Sequence, residues 1–211
     1  MRVGYFGGSF DPPHLGHLTV AVEAARAFSL DQVLFVPTGR QPLKPEGPTA
    51  SFGDRLVMTE LLCRDASNPK SVRLEASALE APLAGGAPNF TVDTLERLHR
   101  QSREDELFVL VGADAFLDLR RWREPERLLQ LAEWIVVSRP GVSRKQLDAL
   151  KLSAEQRRRV HKLDGVAEPA SATRIREALR AGGDCAGMLS PSVLDYIRAH
   201  HLYGASPAAL G

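Results

Sequence analysis

The sequence is short of several things that ordinarily announce a role. It has two cysteines in 211 residues, Cys63 and Cys185. They lie far apart and form no metal or redox motif, which leaves reduced, cytoplasmic thiols as the expectation. Neither sign of charge is in excess: 27 basic against 26 acidic residues give a net charge of +1, so no broad field exists to hold nucleic acid or a membrane surface. Any anion binding must be local. No apolar run approaches the length that spans a bilayer, and Met1 and Arg2 lead straight into a strand without a signal peptide. A soluble, intracellular protein is therefore expected. Internal repeats and low-complexity tracts are absent. So are the best-known glycine grips on phosphate, since there is no GxGxxG and no Walker lysine.

What is present supports one core. With 44% hydrophobic residues the chain can build one sizeable α/β domain over 1–211. The organising stretch is Gly7-Gly8-Ser9-Phe10-Asp11-Pro12-Pro13-His14-Leu15-Gly16-His17, directly after the apolar run Val3 to Phe6. It reads as strand, glycine turn and helix. The glycines permit close approach to bare backbone, and the two prolines end regular structure before a helix that begins near His14. Unpaired N–H groups and the positive end of the dipole face outward at a helix N-terminus, which suits phosphate. His14 and His17 project from one face there and can donate hydrogen bonds to a polyphosphate. On the residues alone, two other readings stay open: half of a metal site that lacks a complete ligand set, and a plain structural turn.

Periodicity places strands at Arg2 to Phe6 and Gln32 to Val36 around a helix from Leu15 to Phe28, a parallel βαβ unit whose glycine turn lies at the ligand-binding end of the sheet. Thr38 to Ala50, dense in proline and glycine, reads as a loop over the site. Ser51 caps a helix to about Arg64, and a short strand follows near Val72 to Leu74. Thr91 reads as the N-cap of a helix to Gln101, and the loop before it can turn N–H groups toward a carboxylate. Leu107 to Val111 is a fully buried strand, with Gly112 and Asp114 just past its end, where a carboxylate can accept bonds from ribose hydroxyls. Glu126 to Leu131 and Val142 to Leu150 read as helices flanking a strand at Ile135 to Val137. Arg157, Arg158 and Arg159 read as a solvated face of a polar helix containing Glu155, Gln156 and His161.

A second phosphate-ready helix start lies at Ser171-Ala172-Thr173-Arg174-Ile175-Arg176. Ser171 is a good cap, Thr173 falls in the first turn, and Arg176 adds a permanent charge with planar donors. A C-terminal helical part over about 171–204 carries this motif, with Ser190-Pro191 starting the last helix.

GGSFDPPHLGHL together with the Ser-x-Thr-x-x-Arg stretch resembles the nucleotidyltransferases that carry HxGH after their first strand. Val36-Pro37, Gln41-Pro42-Leu43-Lys44, Asn89-Phe90-Thr91-Val92-Asp93-Thr94-Leu95, Gly112-Ala113-Asp114, Trp122, Ser138-Arg139-Pro140-Gly141 and Tyr196 to Tyr203 extend the likeness end to end. Within that superfamily the chain is most similar to the nicotinate-nucleotide adenylyltransferases. The resemblance implies a Rossmann-like, doubly wound α/β fold with a mostly parallel sheet. It also implies adenylyl transfer from ATP to nicotinate mononucleotide in NAD biosynthesis, with Mg2+ carried mainly by the ATP phosphates. It casts His14, His17 and Arg176 as catalytic, and Gly7, Gly8, Ser9, Phe10, Lys44, Gly112, Asp114, Ser171 and Thr173 as ATP-binding. Asn89, Phe90, Thr91, Trp122 and Arg139 fall to the mononucleotide, and no protein metal site is expected. Where the family commonly has Pro-Pro-His-Lys, this chain has Leu43 at the histidine position, so the loop's phosphate role rests on Lys44. The expected partners are ATP and nicotinate mononucleotide, with no nucleic acid and no membrane; a homo-oligomer is compatible with the sequence. Other acceptors within the resemblance are nicotinamide mononucleotide and phosphopantetheine, and a different class of reading is a catalytically silent nucleotide-binding regulator.

Overall fold

The computed structural model describes residues 1–43, 46–66, 72–138, 150–166 and 170–205. Its first strand, β1 (Arg2–Gly8), runs on through both glycines of the signature, because each pairs in register with β2 (Gln32–Pro37): Gly7 with Val36 and Gly8 with Pro37. The expected glycine turn is therefore displaced. The chain turns at Phe10, a buried non-glycine residue held at φ 47°. Helix α1 (Leu15–Phe28) joins the two strands, burying Val20, Ala21, Ala24 and Ala25, and stops at Ser29, whose left-handed conformation ends the helix.

Ser51 caps α2 (Phe52–Asp65) by accepting from the Asp54 N–H at 3.1 Å, as the sequence indicates. Strand β3 (Arg73–Ala76), a 3-10 turn at Ala84–Gly86 and α3 (Thr91–Gln101) follow. The N-cap of α3 is Phe90 rather than Thr91, since the Phe90 carbonyl accepts the first helical bonds from Asp93 and Thr94. Next come β4 (Glu106–Gly112), α4 (Ala113–Leu117), α5 (Pro125–Leu131) and β5 (Glu133–Val137). All but one residue of the helix expected over 142–150 lies outside the described residues. The expected polar helix around Arg157 is shorter than read: α6 (Ala154–Arg158) gives way to a strand, β6 (Val160–Leu163), which contains His161. Only two apolar residues mark that edge strand, and Glu133 of β5 holds His161 at 2.7 Å. Helices α7 (Ala172–Arg180) and α8 (Pro191–Ala199) close the chain, and among the described residues no helix is long and apolar enough to cross a membrane.

The six strands form one sheet in the order β3-β2-β1-β4-β5-β6, and every pairing is parallel. This is the doubly wound Rossmann order, whose direction of growth reverses between β1 and β4. Strand residues alternate between two cores. Phe108, Leu110, Ile135 and Val137 pack with Val20, Met58, Ile175 and Ile197 on one face. Val109, Val111, Trp134 and Val136 pack with Leu95, Phe116 and Leu128 on the other. Full burial of each such side chain contributes about 1.5 to 3 kcal/mol, and this two-sided burial holds the strand ends in place.

Candidate active site

At the switch point the central strands part. The β1–β4 register ends at Tyr5 with Val109, whereas the β1–β2 register continues to Gly8 with Pro37. The gap between their carboxyl ends is a cleft of about 430 Å³, bounded by Gly7 and Gly8 on one side and Val111, Gly112 and Asp114 on the other. Position 7 has no room for a side chain, because a Cβ there would stand 2.5 Å from the Tyr5 hydroxyl oxygen. That hydroxyl donates to Glu80 Oε1 at 2.6 Å, and Thr94 Oγ1 donates to the same oxygen at 2.9 Å. Burial first, and then the Glu80 charge, raise the Tyr5 pKa well above its ordinary value, so the hydroxyl keeps its proton.

The signature turn is fastened from three directions. The Phe10 ring packs on Phe6, Phe35 and His17, with the last centroid 4.9 Å away. Asp11 is 4% exposed; its carboxylate accepts from the Tyr203 hydroxyl at 2.8 Å, the Thr49 N–H at 2.7 Å and the Ala50 N–H at 3.0 Å. Arg55, 1% exposed, donates to the carbonyls of Ser9, Thr38 and Ala50. Helix α1 then starts at His14, whose ring stacks on that of His17 with centroids 3.7 Å apart. The His14 N–H donates to His17 Nδ1 at 3.2 Å, so a neutral His17 carries its proton on Nε2 and presents a donor there. One N–H of this helix start is already committed: Leu15 donates to the Met188 carbonyl at 2.9 Å. Gly16 permits a close approach, since a Cβ would lie 3.0 Å from His14 Nδ1 and 3.5 Å from the Ala170 carbonyl.

Ala170 leads directly into the second motif. Ser171 caps α7 by accepting from the Arg174 N–H at 3.4 Å. Arg176 donates to the Asp11 carbonyl at 2.7 Å across 165 residues of chain and to Thr173 Oγ1 at 3.4 Å. The two motifs thus meet. Beside them is a polar cleft of about 310 Å³, lined by Ser9, Asp11, Thr38, Gln41, Thr49 and Arg176 among others. Thr38 and Gln41 also line the larger cleft, so the two adjoin.

The larger cleft is also lined by Phe90, Thr91, Trp122, Arg121 and Arg123. Trp122 lies edge-on to the buried Trp134 at 6.0 Å. No side chain caps α3: the Asp93 N–H goes to the Phe90 carbonyl, and no cap takes the N–H groups of Thr91 and Val92. Asp93 is exposed and pairs with Arg123 at 3.5 Å, and the Arg123 guanidinium lies 4.8 Å above the Phe90 ring. Asn89 lines the cleft, but its amide is engaged in joining loops: the oxygen accepts from the Arg40 N–H at 2.9 Å and the nitrogen donates to the Ala81 carbonyl at 3.2 Å. Lys44 and Arg139 lie outside the described residues.

Five residues that the sequence reading passed over now belong to the site or its support: Asp11, Arg55, Glu80, Arg121 and Arg123. Asp11 stands inside the signature itself. Arg55 shares the buried face of α2 with Met58, Thr59 and Leu62, a helical spacing that marks an arginine facing inward.

The sequence pattern of the cytidylyltransferase-like family matches residues 5–178. The chain is 40% identical over 204 residues to the probable nicotinate-nucleotide adenylyltransferase of Solibacter usitatus, covering 96% of this chain and 100% of that one. It is 37% identical to the protein of the same name from Desulfatibacillum aliphaticivorans, with the same coverage. Among solved structures, the Plasmodium falciparum nicotinic acid mononucleotide adenylyltransferase complexed with NaAD superposes with a TM-score of 0.75 at 17% identity, over 96% of this chain and 97% of that chain. That likeness shows a shared fold.

Proposed function

The chain belongs to the nicotinate-nucleotide adenylyltransferases of the cytidylyltransferase-like family, and we propose that it joins nicotinate mononucleotide to the AMP part of ATP, giving deamido-NAD and pyrophosphate. The observation that carries this reading is the junction of the two clefts at Thr38 and Gln41. An apolar, tryptophan-walled space meets a polar one containing Arg176, as a pyridine nucleotide and a triphosphate in line would require.

The mononucleotide phosphate oxygen attacks the α-phosphorus of ATP. A new P–O bond forms as the bond to the β-phosphate oxygen breaks, and pyrophosphate leaves with its electron pair. The nucleophile is already an anion, so positioning and charge stabilisation are the protein's work. His17 Nε2 and the Arg176 guanidinium donate to the phosphate oxygens as charge shifts to the leaving group. His14 stacks on His17 and orients it, while Ser171 and Thr173 set the start of α7. Gly7 to Phe10 offer backbone to the nucleotide, Gly112 and Asp114 take ribose hydroxyls, and Trp122 stacks on the pyridine ring. The open first turn of α3 at Thr91 receives the pyridine carboxylate, with Phe90 as its apolar neighbour. Lys44 and Arg139 retain the ATP and mononucleotide roles implied by the resemblance. Imidazole, guanidinium, hydroxyl and amide groups here can donate to phosphate oxygens, and Mg2+ would be held mainly by those oxygens and water. Pyrophosphate release from ATP, measured with nicotinate mononucleotide, nicotinamide mononucleotide and phosphopantetheine in turn, tests the reading. Release only with phosphopantetheine, or with no acceptor, would overturn it.

A further inference from the structure

Arg55 is a buried charge that the reaction above leaves without a task. Its Nη1 donates to the Ser9 carbonyl at 2.6 Å, its Nη2 to the Thr38 carbonyl at 2.9 Å and its Nε to the Ala50 carbonyl at 3.3 Å. These oxygens come from three separate segments: the signature turn, the exit of β2 and the residue before the α2 cap. Ser9 and Thr38 both line the polar cleft. A carbonyl turned into that cleft would repel a triphosphate. The planar trans peptide that points the Ser9 oxygen at Arg55 points the Phe10 N–H the opposite way. All three hydrogen-bond partners of Arg55 among the described residues are neutral carbonyls, and the charge that acts on it is that of Asp11, which lines the same cleft. Burial pulls the Arg55 pKa down from its ordinary value and the nearby Asp11 charge opposes that pull, but a guanidinium in water starts so high that the group stays charged.

We propose that Arg55 is a positioning residue for ATP: it holds the Ser9, Thr38 and Ala50 carbonyls away from the phosphate path. This rests on the adenylyl-transfer reading for the identity of the nucleotide. A role confined to stability would lower Tm alone, whereas a positioning role acts selectively on ATP.

The test compares the parent enzyme with Arg55→Lys, Arg55→Met and Ile197→Ala, the last a core truncation in α8 that removes buried apolar volume without touching the cleft. The readouts are Tm, kcat, KM for each substrate and the Kd of α,β-methylene-ATP with Mg2+. Lysine keeps the charge but cannot span three carbonyls, so Arg55→Lys should raise KM for ATP and the analogue Kd about tenfold, and Arg55→Met more, with KM for nicotinate mononucleotide within about twofold of the parent. If Arg55→Met fails to fold, Arg55→Lys decides. Arg55 variants that lose stability like Ile197→Ala yet keep the parent's ATP affinity would overturn the proposal. Should the parent bind the analogue in an Arg55-dependent way but release no pyrophosphate with nicotinate mononucleotide, the acceptor reading fails and the role of Arg55 stands.

Discussion

Asp11 lines the polar cleft, Asp93 pairs with Arg123 on the wall of the larger one, and the surroundings of the two carboxylates are opposite. Asp11 is 4% exposed and accepts hydrogen bonds from Tyr203, Thr49 and Ala50, which lie in different parts of the chain. Asp93 stands in solvent on the first turn of α3 and pairs with Arg123 at 3.5 Å. The polar cleft, proposed to take the phosphates, accordingly rests on an assembly of buried polar groups, where a misplaced donor is costly. The larger cleft, proposed to take the pyridine, has an apolar wall at Phe90 and Trp122 and an exposed charged rim at Arg123 and Asp93, where single charges have small effects. Rate should depend chiefly on the first region and acceptor choice on the second.

The largest effect tests the phosphate end. His17→Ala should lower kcat by two to three orders of magnitude, about 3 to 4 kcal/mol of transition-state stabilisation, with KM values far less affected. His17→Asn refines this, because an amide oxygen can still accept the His14 N–H while the Nε2 donor is gone; steady-state kinetics should show nearly the same loss. A kcat within a few-fold of the parent in either variant would move charge stabilisation elsewhere.

Stability should separate the two aspartates next. Asp11→Ala strands a buried hydroxyl and two amide N–H groups, at about 3 kcal/mol, so Tm should fall by roughly 6 to 12 °C. Asp93→Asn removes only an exposed pair and should shift Tm by no more than about 2 °C. Equal shifts, read by calorimetry, would erase the contrast.

The smallest effect concerns the rim. Arg123 screens Asp93, so Arg123→Gln should reduce the preference for a carboxylate-bearing acceptor by about two- to threefold, and Asp93→Asn in the same chain should restore it. A preference unchanged in both variants would mean that the exposed pair plays no part in selection.

The same contrast explains what the sequence disclosed. His14, His17, Ser171 and Arg176 stand out in sequence by short spacings at helix starts, and the structure brings the two motifs together through Arg176 and Asp11. The doubly wound order was implied by the resemblance, whereas a buried parallel sheet was legible from apolar runs such as Leu107 to Val111, which a strand buried on both faces requires. What held the turn was not. Gly7 and Gly8 look like turn residues but remain in the ladder, because the competing interaction is register with Val36 and Pro37. Strand β6 has only Val160 and Leu163 as apolar markers, too few to distinguish it from a loop. The cap at Thr91 was misassigned by one residue, since the Phe90 carbonyl, a backbone group without a sequence signal, begins α3. The carbonyl ligands of Arg55 are equally silent in sequence.

The central claim is that a structured phosphate end performs the transfer while the open first turn of α3 chooses the acceptor. Its most direct test is kcat/KM for nicotinate and nicotinamide mononucleotide at saturating ATP. On the proposed function, backbone N–H donors at Thr91 would favour a carboxylate over an amide that must turn its own NH₂ toward them, a difference of about 1 to 3 kcal/mol. The account predicts a nicotinate preference of about 5- to 150-fold; equal values, or a preference for the amide, would contradict it.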